Sequence, residues 1–317
     1  MCGLFGFINY SGDKLKDLSK LTNYLAREST ARGTDATGVA YVDSGAIHIE
    51  KANKSAFRMD FKHSDNVQSL IGHTRHSTQG SEKKNFNNHP FKGFCQNSNF
   101  AFAHNGVLSN DTELRKTHKL PKTKIETDSY ISVQLIESKK FLGFDSIKYM
   151  AEQVSGSFSF SIVDDKNNVW LVKGDSPLSI LHFPKLKMYV FASTDETLYK
   201  AIVDYPPLFS ALKNSEYDKI HISEGEILKI RPDGVIDKGY FDYVTYYGYK
   251  WWYYGSSAAS DFKSSEGKYT RSDYINDLKS VSGYLGYSPE DIDVLIAEGY
   301  DLEEIEEYIY CCAGGEM

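Results

Sequence analysis

The sequence predicts an α+β fold with much antiparallel sheet and with its helices grouped in blocks. From Ser157 to about residue 231 one strand-like segment follows another, and turn sequences such as Asp164-Asp-Lys-Asn-Asn168 separate several of them. In 13–30, by contrast, apolar residues recur at helical spacing. The chain has no regular series of strand, helix and strand, and no GxGxxG or Walker loop, which disfavours a doubly wound nucleotide-binding fold.

The first eight residues, Met1-Cys-Gly-Leu-Phe-Gly-Phe-Ile8, are a short apolar run with two glycines, which predicts a buried strand. No basic segment or long apolar core is present, so this start is not a secretory signal. Further strands are predicted at 37–43, 46–51, 69–75, 99–104, 157–163, 168–173, 178–182, 187–192, 219–222 and 226–231. Helices are predicted at 13–30, with Asp13 as a capping residue, and at 110–118, 127–139 and 144–154.

The charge balance limits the classes of partner. The 317 residues include 36 Lys and Arg against 43 Asp and Glu, a net charge of −7, which disfavours nonspecific binding to nucleic acid or anionic lipid. No apolar stretch approaches the ~18 residues of a membrane span, so we expect a soluble, cytoplasmic protein without membrane contact. Four cysteines are too few for a disulfide framework, and no Cys and His spacing indicates a metal site. We therefore expect no metal and no cofactor.

The composition changes towards the C-terminus. Residues 240–254 are crowded with aromatic side chains, and 255–268, rich in Gly, Ser, Ala and Lys, have the composition of a flexible linker. Beyond the linker, Ser288-Pro289-Glu290-Asp291 and Asp301-Leu-Glu-Glu304 are helix-capping sequences. We predict one large domain at 2–235, an aromatic-rich segment with linker at 236–268, and a small helical tail at 269–317.

Cys2 follows Met1 directly. If Met1 is removed, one residue carries both a thiol and a free α-amine. A thiol reacts as its thiolate and needs a base, and an α-amine with a pKa near ~8 can accept that proton directly or through a water. Cys2 is therefore a candidate nucleophile that supplies its own base, although one cysteine at position two proves nothing by itself.

Five polar clusters lie near predicted strand ends or turns. They are Ala31-Arg-Gly-Thr-Asp-Ala-Thr-Gly38, Gly72-His-Thr-Arg-His-Ser-Thr-Gln-Gly80, Asn87-Asn-His-Pro90, Ala103-His-Asn-Gly106 and Glu126-Thr-Asp128. In this order behind an N-terminal cysteine they resemble the class II glutamine amidotransferases, and above all the glutaminase domain of glucosamine-6-phosphate synthase. The likeness continues through Ser155-Gly-Ser-Phe158, Gly174-Asp-Ser-Pro-Leu178, Phe191-Ala-Ser-Thr-Asp195 and Glu224-Gly-Glu226, and covers about residues 2–235.

The resemblance implies a fold and a reaction. The fold is the four-layer αββα sandwich of the N-terminal-nucleophile hydrolases, here with a small helical C-terminal appendage. In the reaction Cys2 attacks the carboxamide of glutamine, and glutamate and ammonia are released. Asn105, through its side-chain amide, and Gly106, through its backbone N–H, are expected to stabilise the tetrahedral oxyanion. Gly106 also allows the backbone to approach closely.

A free amino acid presents an α-carboxylate and an α-ammonium, so its site should pair a guanidinium with a carboxylate. The resemblance implies Arg75 for the carboxylate, with Thr78 in support, and Asp128 for the ammonium. Arg32 is expected to organise the loop near Cys2. His89 and His104 are expected to line the substrate site.

Two positions depart from the family pattern. The synthase family usually reads His-Thr-Arg-Trp-Ala-Thr-His-Gly, whereas this chain has His76 for the Trp and Gln79 for the second His. In that family the Trp belongs to a loop that closes over glutamine and helps to gate ammonia, so we expect the replacement to affect coupling more than hydrolysis. No isomerase, phosphoribosyltransferase or synthetase domain follows the match. We therefore expect a separate synthase or ligase subunit to accept the ammonia, or self-association through the C-terminal tail.

Two other functions stay open. An N-terminal-nucleophile amidase for a different amide would also use Cys2, but Arg75 and Asp128 together fit a free amino-acid head group better. A catalytically silent binding or scaffold protein would use the fold and the aromatic segment. The intact set of Cys2, Asn105 and Gly106 argues against that reading, and the changed loop favours it.

Overall fold

The structure is a computed structural model of the chain. It describes residues 2–12, 15–243, 275, 279, 282, 287–298, 300, 302 and 305. The chain divides into two compact units, residues 1–254 and 255–317.

The first unit contains strands and helices in mixed order along the chain. The strands are β1 (Gly3–Asn9), β2 (Ala36–Asp43), β3 (Ala46–Ala52), β4 (Ser69–Arg75), β5 (Phe91–Phe94), β6 (Asn99–Leu108), β7 (Gly156–Asp164), β8 (Val169–Lys173), β9 (Ser179–Phe183), β10 (Met188–Ala192), β11 (Asp218–Ile220), β12 (Glu226–Ile230) and β13 (Ile236–Tyr240). The α-helices are α1 (Leu18–Glu28), α2 (Asp111–Thr117), α3 (Tyr130–Ser138), α4 (Phe144–Gln153), α5 (Asp195–Val203) and α6 (Pro206–Lys213).

The strands form two antiparallel sheets. The seven-stranded sheet has the order β11-β9-β10-β1-β4-β2-β3, and the six-stranded sheet has the order β13-β12-β8-β7-β6-β5. β1 lies between β10 and β4, and both pairings are antiparallel. The N-terminal strand is therefore an interior strand of the larger sheet.

Three apolar clusters show how the layers are stacked. One joins α1, α5 and α6 to the seven-stranded sheet, and it includes Leu21, Leu198 and Leu208. A second joins α3 and α4 to the six-stranded sheet. The third contains residues of both sheets, such as Leu4 of β1 and Val163 of β7, and so lies between them. Helices, sheet, sheet and helices therefore follow one another, which confirms the predicted αββα sandwich.

β1 shows why the sandwich forms at the N-terminus. All seven of its residues are buried. Successive side chains of a strand point to opposite faces, and accordingly Phe5 and Phe7 enter the helix-side cluster while Leu4 and Ile8 enter the cluster between the sheets. A continuous apolar run is the sequence expected of a strand buried on both faces.

Several elements lie where no element was predicted. Helix α5 begins after Thr194, whose hydroxyl accepts a hydrogen bond from the Thr197 N–H at 3.3 Å. Helix α6 begins at Pro206, and β5 follows Pro90. The predicted domain boundary at 235 falls between β12 and β13, which pair with each other. Phe241 packs into the second apolar cluster, so the six-stranded sheet continues into the segment that was assigned to the aromatic stretch.

Helix α1 begins at Leu18, later than the predicted start, and the proposed cap Asp13 lies outside the described residues. The second unit contains helix α7 (Pro289–Ala297). Its predicted cap is confirmed, because the Ser288 hydroxyl accepts from the Asp291 N–H at 3.2 Å and the Asp291 carboxylate accepts from the Ser288 N–H at 2.7 Å. The linker 255–268, most of the aromatic stretch 240–254 and both ends of the second capping sequence lie outside the described residues. Among the helices that are described, none has the length and apolar character needed to cross a membrane.

Candidate active site

Cys2 lies immediately before β1, at the end of the strand that faces the end of β4. The first paired residue of β1, Gly3, is opposite Thr74 of β4. Cys2 is held on two sides: Arg32 Nε donates to the Cys2 carbonyl at 2.8 Å, and the Cys2 thiol lies 3.5 Å from the carbonyl oxygen of His76. The half-buried thiol is therefore fixed between the turn at Arg32 and the loop that follows β4.

The environment of Cys2 keeps its thiol protonated. Burial raises the pKa of the Cys2 thiol, the charge of Arg75 opposes this rise, and the charge of Asp128 adds to it. These opposing effects place the thiol, the guanidinium and the carboxylate within electrostatic reach of one another. A thiol with a raised pKa needs a base to become a nucleophile.

Asn105 and Gly106 lie near the end of β6, in the other sheet. Asn105 is buried, and its Nδ2 lies 3.4 Å from the Ser193 hydroxyl. Gly106 has φ of +140°, and a Cβ at this position would lie 2.0 Å from the Ser157 carbonyl oxygen, so only glycine fits. The position where a backbone donor was predicted is therefore one that requires glycine.

The pairing of β6 with β7 determines where the Gly106 N–H points. Gly106 is opposite Phe158. The Phe158 N–H donates to Asp175 Oδ1 at 2.9 Å, and its carbonyl accepts from the Gly174 N–H at 3.1 Å, both on the side away from β6. In an antiparallel ladder such a pair is not hydrogen-bonded. The Gly106 N–H is thus directed away from β7 and is available to an oxyanion.

Asp128 is a buried carboxylate that follows the segment 119–127. Its Oδ2 accepts from the Leu108 N–H at 2.6 Å, and its Oδ1 accepts from the Ser129 hydroxyl at 3.3 Å. Within the described part of the chain, no lysine, arginine or histidine forms an ion pair with it. A buried carboxylate with neutral partners alone is suited to receive a cationic group from a ligand.

Arg75, at the end of β4, is buried and is already hydrogen-bonded within the chain. Nη1 donates to Asn88 Oδ1 at 2.6 Å, and Nη2 donates to the carbonyls of Gln79 at 2.8 Å and Gly80 at 2.6 Å. Two of the five guanidinium N–H groups are therefore used to shape the loop 76–80, and a third binds Asn88. Two N–H groups have no partner among the described residues and remain for a ligand carboxylate, while the charge of Arg75 acts on the Cys2 thiol.

The loop 76–80 is fastened at the position where the family pattern has its second His. Gln79 Nε2 donates to the Glu126 carbonyl at 3.1 Å and lies 3.4 Å from Asp111 Oδ2. The side chain of His76 is exposed, with its Nδ1 4.0 Å from Asp35 Oδ2. Thr78 is also exposed, and its hydroxyl has no hydrogen-bond partner among the described residues. Gln79 thus anchors the loop, whereas Thr78 forms none of the hydrogen bonds that Arg75 makes within the chain.

The histidines expected to line the site are buried neutral rings. Burial lowers the pKa of His104, whose Nδ1 is 2.8 Å from the Ser129 hydroxyl and whose Nε2 is 3.3 Å from the Ser157 carbonyl. Burial also lowers the pKa of His89, whose ring nitrogens have no hydrogen-bond partner among the described residues. The His89 ring lies 4.1 Å from that of His73. His104 therefore supports the segment of Asp128, and His89 packs in the interior.

Lys51 is a residue of the site that sequence reasoning did not find. Its Nζ donates to the carbonyls of Asn88 and Pro90, the latter at 2.9 Å, and lies 5.2 Å from the centre of the Phe91 ring. The side chain of Asn88 in turn accepts a hydrogen bond from Arg75. Lys51 therefore holds in place the residue that binds Nη1 of the guanidinium. Nothing in the alternating sequence of β3 distinguishes Lys51 from a solvated lysine.

Among the described residues, no cluster of His, Cys, Asp and Glu is placed to hold a metal ion.

Comparison with known proteins gives a family match over part of the chain. Residues 73–200 match the sequence model of a family described as the glutamine amidotransferase domain; Cys2 lies before the matched residues. Glutamine–fructose-6-phosphate aminotransferase (isomerizing) of Staphylococcus epidermidis is 32% identical over 192 residues, and that of Staphylococcus aureus is 33% identical over 190 residues. These matches cover 57% and 56% of this chain but 30% of each relative. The chain thus spans less than a third of the length of these curated relatives.

Solved structures share the fold. Glutamine phosphoribosylpyrophosphate amidotransferase from B. subtilis, in complex with ADP and GMP, aligns with a TM-score of 0.61 at 20% identity, over 77% of this chain and 50% of that one. A structure described as the allosteric regulatory enzyme of purine biosynthesis aligns with a TM-score of 0.60 at 21% identity, over the same shares of 77% and 50%.

The αββα sandwich of this chain is thus the fold that these amidotransferase structures share. Residues 73–200 match a glutamine amidotransferase domain, and the similar Staphylococcus relatives are enzymes.

The buried position of Lys51 predicts a pH effect on stability. Burial, and secondarily the charge of Arg75, lowers the pKa of Lys51 to about 8 from 10.5. Between these two values the unfolded chain binds more protons than the folded one, so this lysine's contribution to stability rises with pH. We expect the free energy of unfolding of the wild type, relative to Lys51→Met, to increase between pH 7.5 and pH 9.5.

Urea unfolding of both proteins at the two pH values measures this difference, and the comparison with Lys51→Met cancels the titration of all other groups. A difference that stays constant, or that falls as the pH rises, would mean that Lys51 is not buried as a cation.

Proposed function

We propose that this chain hydrolyses the carboxamide of free glutamine, with Cys2 as the nucleophile, and releases glutamate and ammonia. The observation that carries this proposal is that the guanidinium of Arg75 and the carboxylate of Asp128, which has no ion-pair partner among the described residues, both lie within electrostatic reach of the Cys2 thiol. The names of the Staphylococcus relatives, which contain both glutamine and an aminotransferase activity, support the same substrate.

The proposed chemistry begins when removal of Met1 frees the Cys2 amine. This amine takes the thiol proton, directly or through a water, and the sulfur attacks the amide carbon of glutamine. The carbonyl oxygen becomes an oxyanion that accepts hydrogen bonds from Asn105 Nδ2 and the Gly106 N–H. The amide nitrogen takes this proton from the protonated Cys2 amine as the carbon–nitrogen bond breaks. Ammonia departs, and a thioester between Cys2 and the glutamyl group remains. Water then attacks the thioester, which restores the thiol and releases glutamate.

The proposed binding of glutamine uses opposite charges at the two ends of its head group. Asp128, whose hydrogen-bond partners among the described residues are neutral, would accept the α-ammonium. Arg75 would bind the α-carboxylate with the N–H groups that the loop leaves unused, and Thr78 would reach the same carboxylate from the loop. Arg32 would hold Cys2 through its carbonyl, while His104 and His89 would support the walls of the site.

The destination of the ammonia is a further part of the proposal. The relatives named above act on fructose-6-phosphate, but this chain covers 30% of their length, so their acceptor does not carry over. We propose that a separate synthase or ligase in the cytoplasm receives the ammonia, or that the C-terminal residues 236–317 bring copies of the chain together. The half-buried Tyr243 packs against Phe158 of β7, with the two ring centres 5.3 Å apart.

Substrate choice and the nucleophile can be tested in one assay. Protein that starts at Cys2 should release glutamate and ammonia from glutamine but not from asparagine, because the head-group site fixes the distance from the amide to the thiol. Cys2→Ala should abolish turnover and leave the thermal unfolding midpoint unchanged. Glutamate and ammonia are measured separately in each reaction.

The matched control is Cys95→Ala. Cys95 is a half-buried free cysteine whose pKa is raised to about 11 by burial and by Glu137, and it lies outside the site. It should keep full activity. Turnover of a different amide alone would support the alternative amidase, and a protein silent towards all amides would support the scaffold role.

Binding and chemistry should separate between two further variants. Asn105→Ala should lower kcat by ~10²-fold or more, because it removes an oxyanion donor. Asp128→Asn keeps an acceptor for the Leu108 N–H but removes the charge, and it should raise KM by ~10-fold or more with a smaller effect on kcat, because the ammonium is bound in both ground and transition states. Steady-state kinetics with glutamine give both constants. The same pattern for both variants would contradict these roles.

A further inference from the structure

Ser193 lies directly after β10, where the seven-stranded sheet meets the start of α5. It is 1% exposed. We propose that Ser193 is a positioning residue that holds the amide of Asn105 in place relative to Cys2. This inference rests on the proposed function, because it concerns the alignment of the oxyanion donor with the nucleophile.

The hydrogen bonds of Ser193 join the two sheets at the site. On the side of the nucleophile, the Ser193 N–H donates to the Leu4 carbonyl at 2.9 Å, and the Ser193 hydroxyl oxygen accepts from the Leu4 N–H at 2.8 Å. On the other side, the same oxygen accepts from Asn105 Nδ2 at 3.4 Å. One buried oxygen therefore connects β1, two residues after Cys2, with the donor on β6.

This arrangement fixes the orientation of the Asn105 amide. The Nδ2 group carries two hydrogens. When one of them points to Ser193, the plane of the amide is set and the other is left for an oxyanion. Ser193 is itself bound to Leu4 by two hydrogen bonds. The Asn105 amide is therefore held in a fixed position relative to β1, the strand that follows Cys2. Preorganisation of this kind lowers the barrier because the donor does not have to reorient during the reaction.

The chain offers a matched control in Ser161. It lies on β7 opposite Ala103, is fully buried, and its hydroxyl has no hydrogen-bond partner among the described residues. Ser161→Ala removes the same atom from a buried position without removing a hydrogen bond to Leu4 or Asn105. A loss of activity that followed from a buried serine hydroxyl in general would appear in both variants.

The test is a double-mutant cycle on glutamine turnover. Ser193→Ala should lower kcat by ~10-fold and change KM by less than ~2-fold, since the donor is displaced but present. Ser161→Ala should leave both constants unchanged. In the Asn105→Ala background, Ser193→Ala should have no further effect, because the group on which it acts is gone. Equal effects of Ser193→Ala in both backgrounds would overturn the proposal and assign Ser193 to the fold of β1.

A second readout does not need turnover. The side-chain amide signals of Asn105 are the pair missing from the ¹H–¹⁵N spectrum of Asn105→Ala. We expect one proton of this pair to move upfield in Ser193→Ala and to stay in place in Ser161→Ala. An unmoved pair would overturn the proposal. If the wild type has no activity, the proposed function fails while this spectrum still decides the contact.

The thermal unfolding midpoint identifies a variant that does not fold. In that case Ser193→Cys replaces Ser193→Ala in both measurements, because sulfur fills the site as a weaker acceptor. It should lower kcat with KM nearly unchanged and shift the same amide signal. Unchanged kcat and an unmoved signal would overturn the proposal.

Discussion

The position of Cys2 depends on the double pairing of β1. Gly3 to Ile8 are paired with β4, and Phe5 to Asn9 are paired with β10. The side chains of the strand alternate between two apolar clusters, so a slip by one residue would move Phe5 and Phe7 from the helix side to the layer between the sheets. The register of β1 is therefore fixed by packing on both faces. Since Cys2 directly precedes this strand, the pairing of β1 also restricts the position of the Cys2 backbone.

The second constraint is the loop that follows β4. Arg75 is bonded to the carbonyls of Gln79 and Gly80 and to the side chain of Asn88. The guanidinium that we assign to substrate binding is thus also the scaffold of the loop next to Cys2. His76 and Gln79 stand where the family pattern has Trp and His. Gln79 anchors the loop to the Glu126 carbonyl, whereas the side chain of His76 is exposed. The changed residues thus keep an anchored loop but leave no large apolar side chain at its tip.

Much of this architecture could be predicted from the sequence, because the signals are local. The continuous apolar run after Cys2 predicts β1, helical spacing predicts α1, and the Ser288 cap predicts α7. A glycine was expected to matter at position 106, and the positive φ of Gly106 is a conformation that other residues rarely adopt. Helices α5 and α6 were missed since they are short and interrupt a long series of strands, where the Thr194 cap was the available signal. β13 was missed because its sequence, Ile-Asp-Lys-Gly-Tyr, is half polar at a sheet edge.

The contacts that complete the site could not be predicted, because they join distant residues through common side chains. Ser193 and Asn105 are 88 positions apart, and neither a buried serine nor a hydroxyl after a strand is distinctive. Lys51 meets Asn88 only after β3 is paired at the sheet edge. Arg75 was expected to bind a ligand carboxylate, and its three bonds within the chain follow from the path of the loop, which a sequence does not specify.

The central claim is that one residue, Cys2, supplies both the nucleophile and its base. The most direct measurement compares glutamine turnover by two preparations whose N-termini are defined by mass spectrometry, one that begins at Cys2 and one that retains Met1. The account predicts turnover by the first and a folded, inactive protein for the second, because an amide nitrogen cannot accept the thiol proton. Equal turnover by both preparations would contradict it.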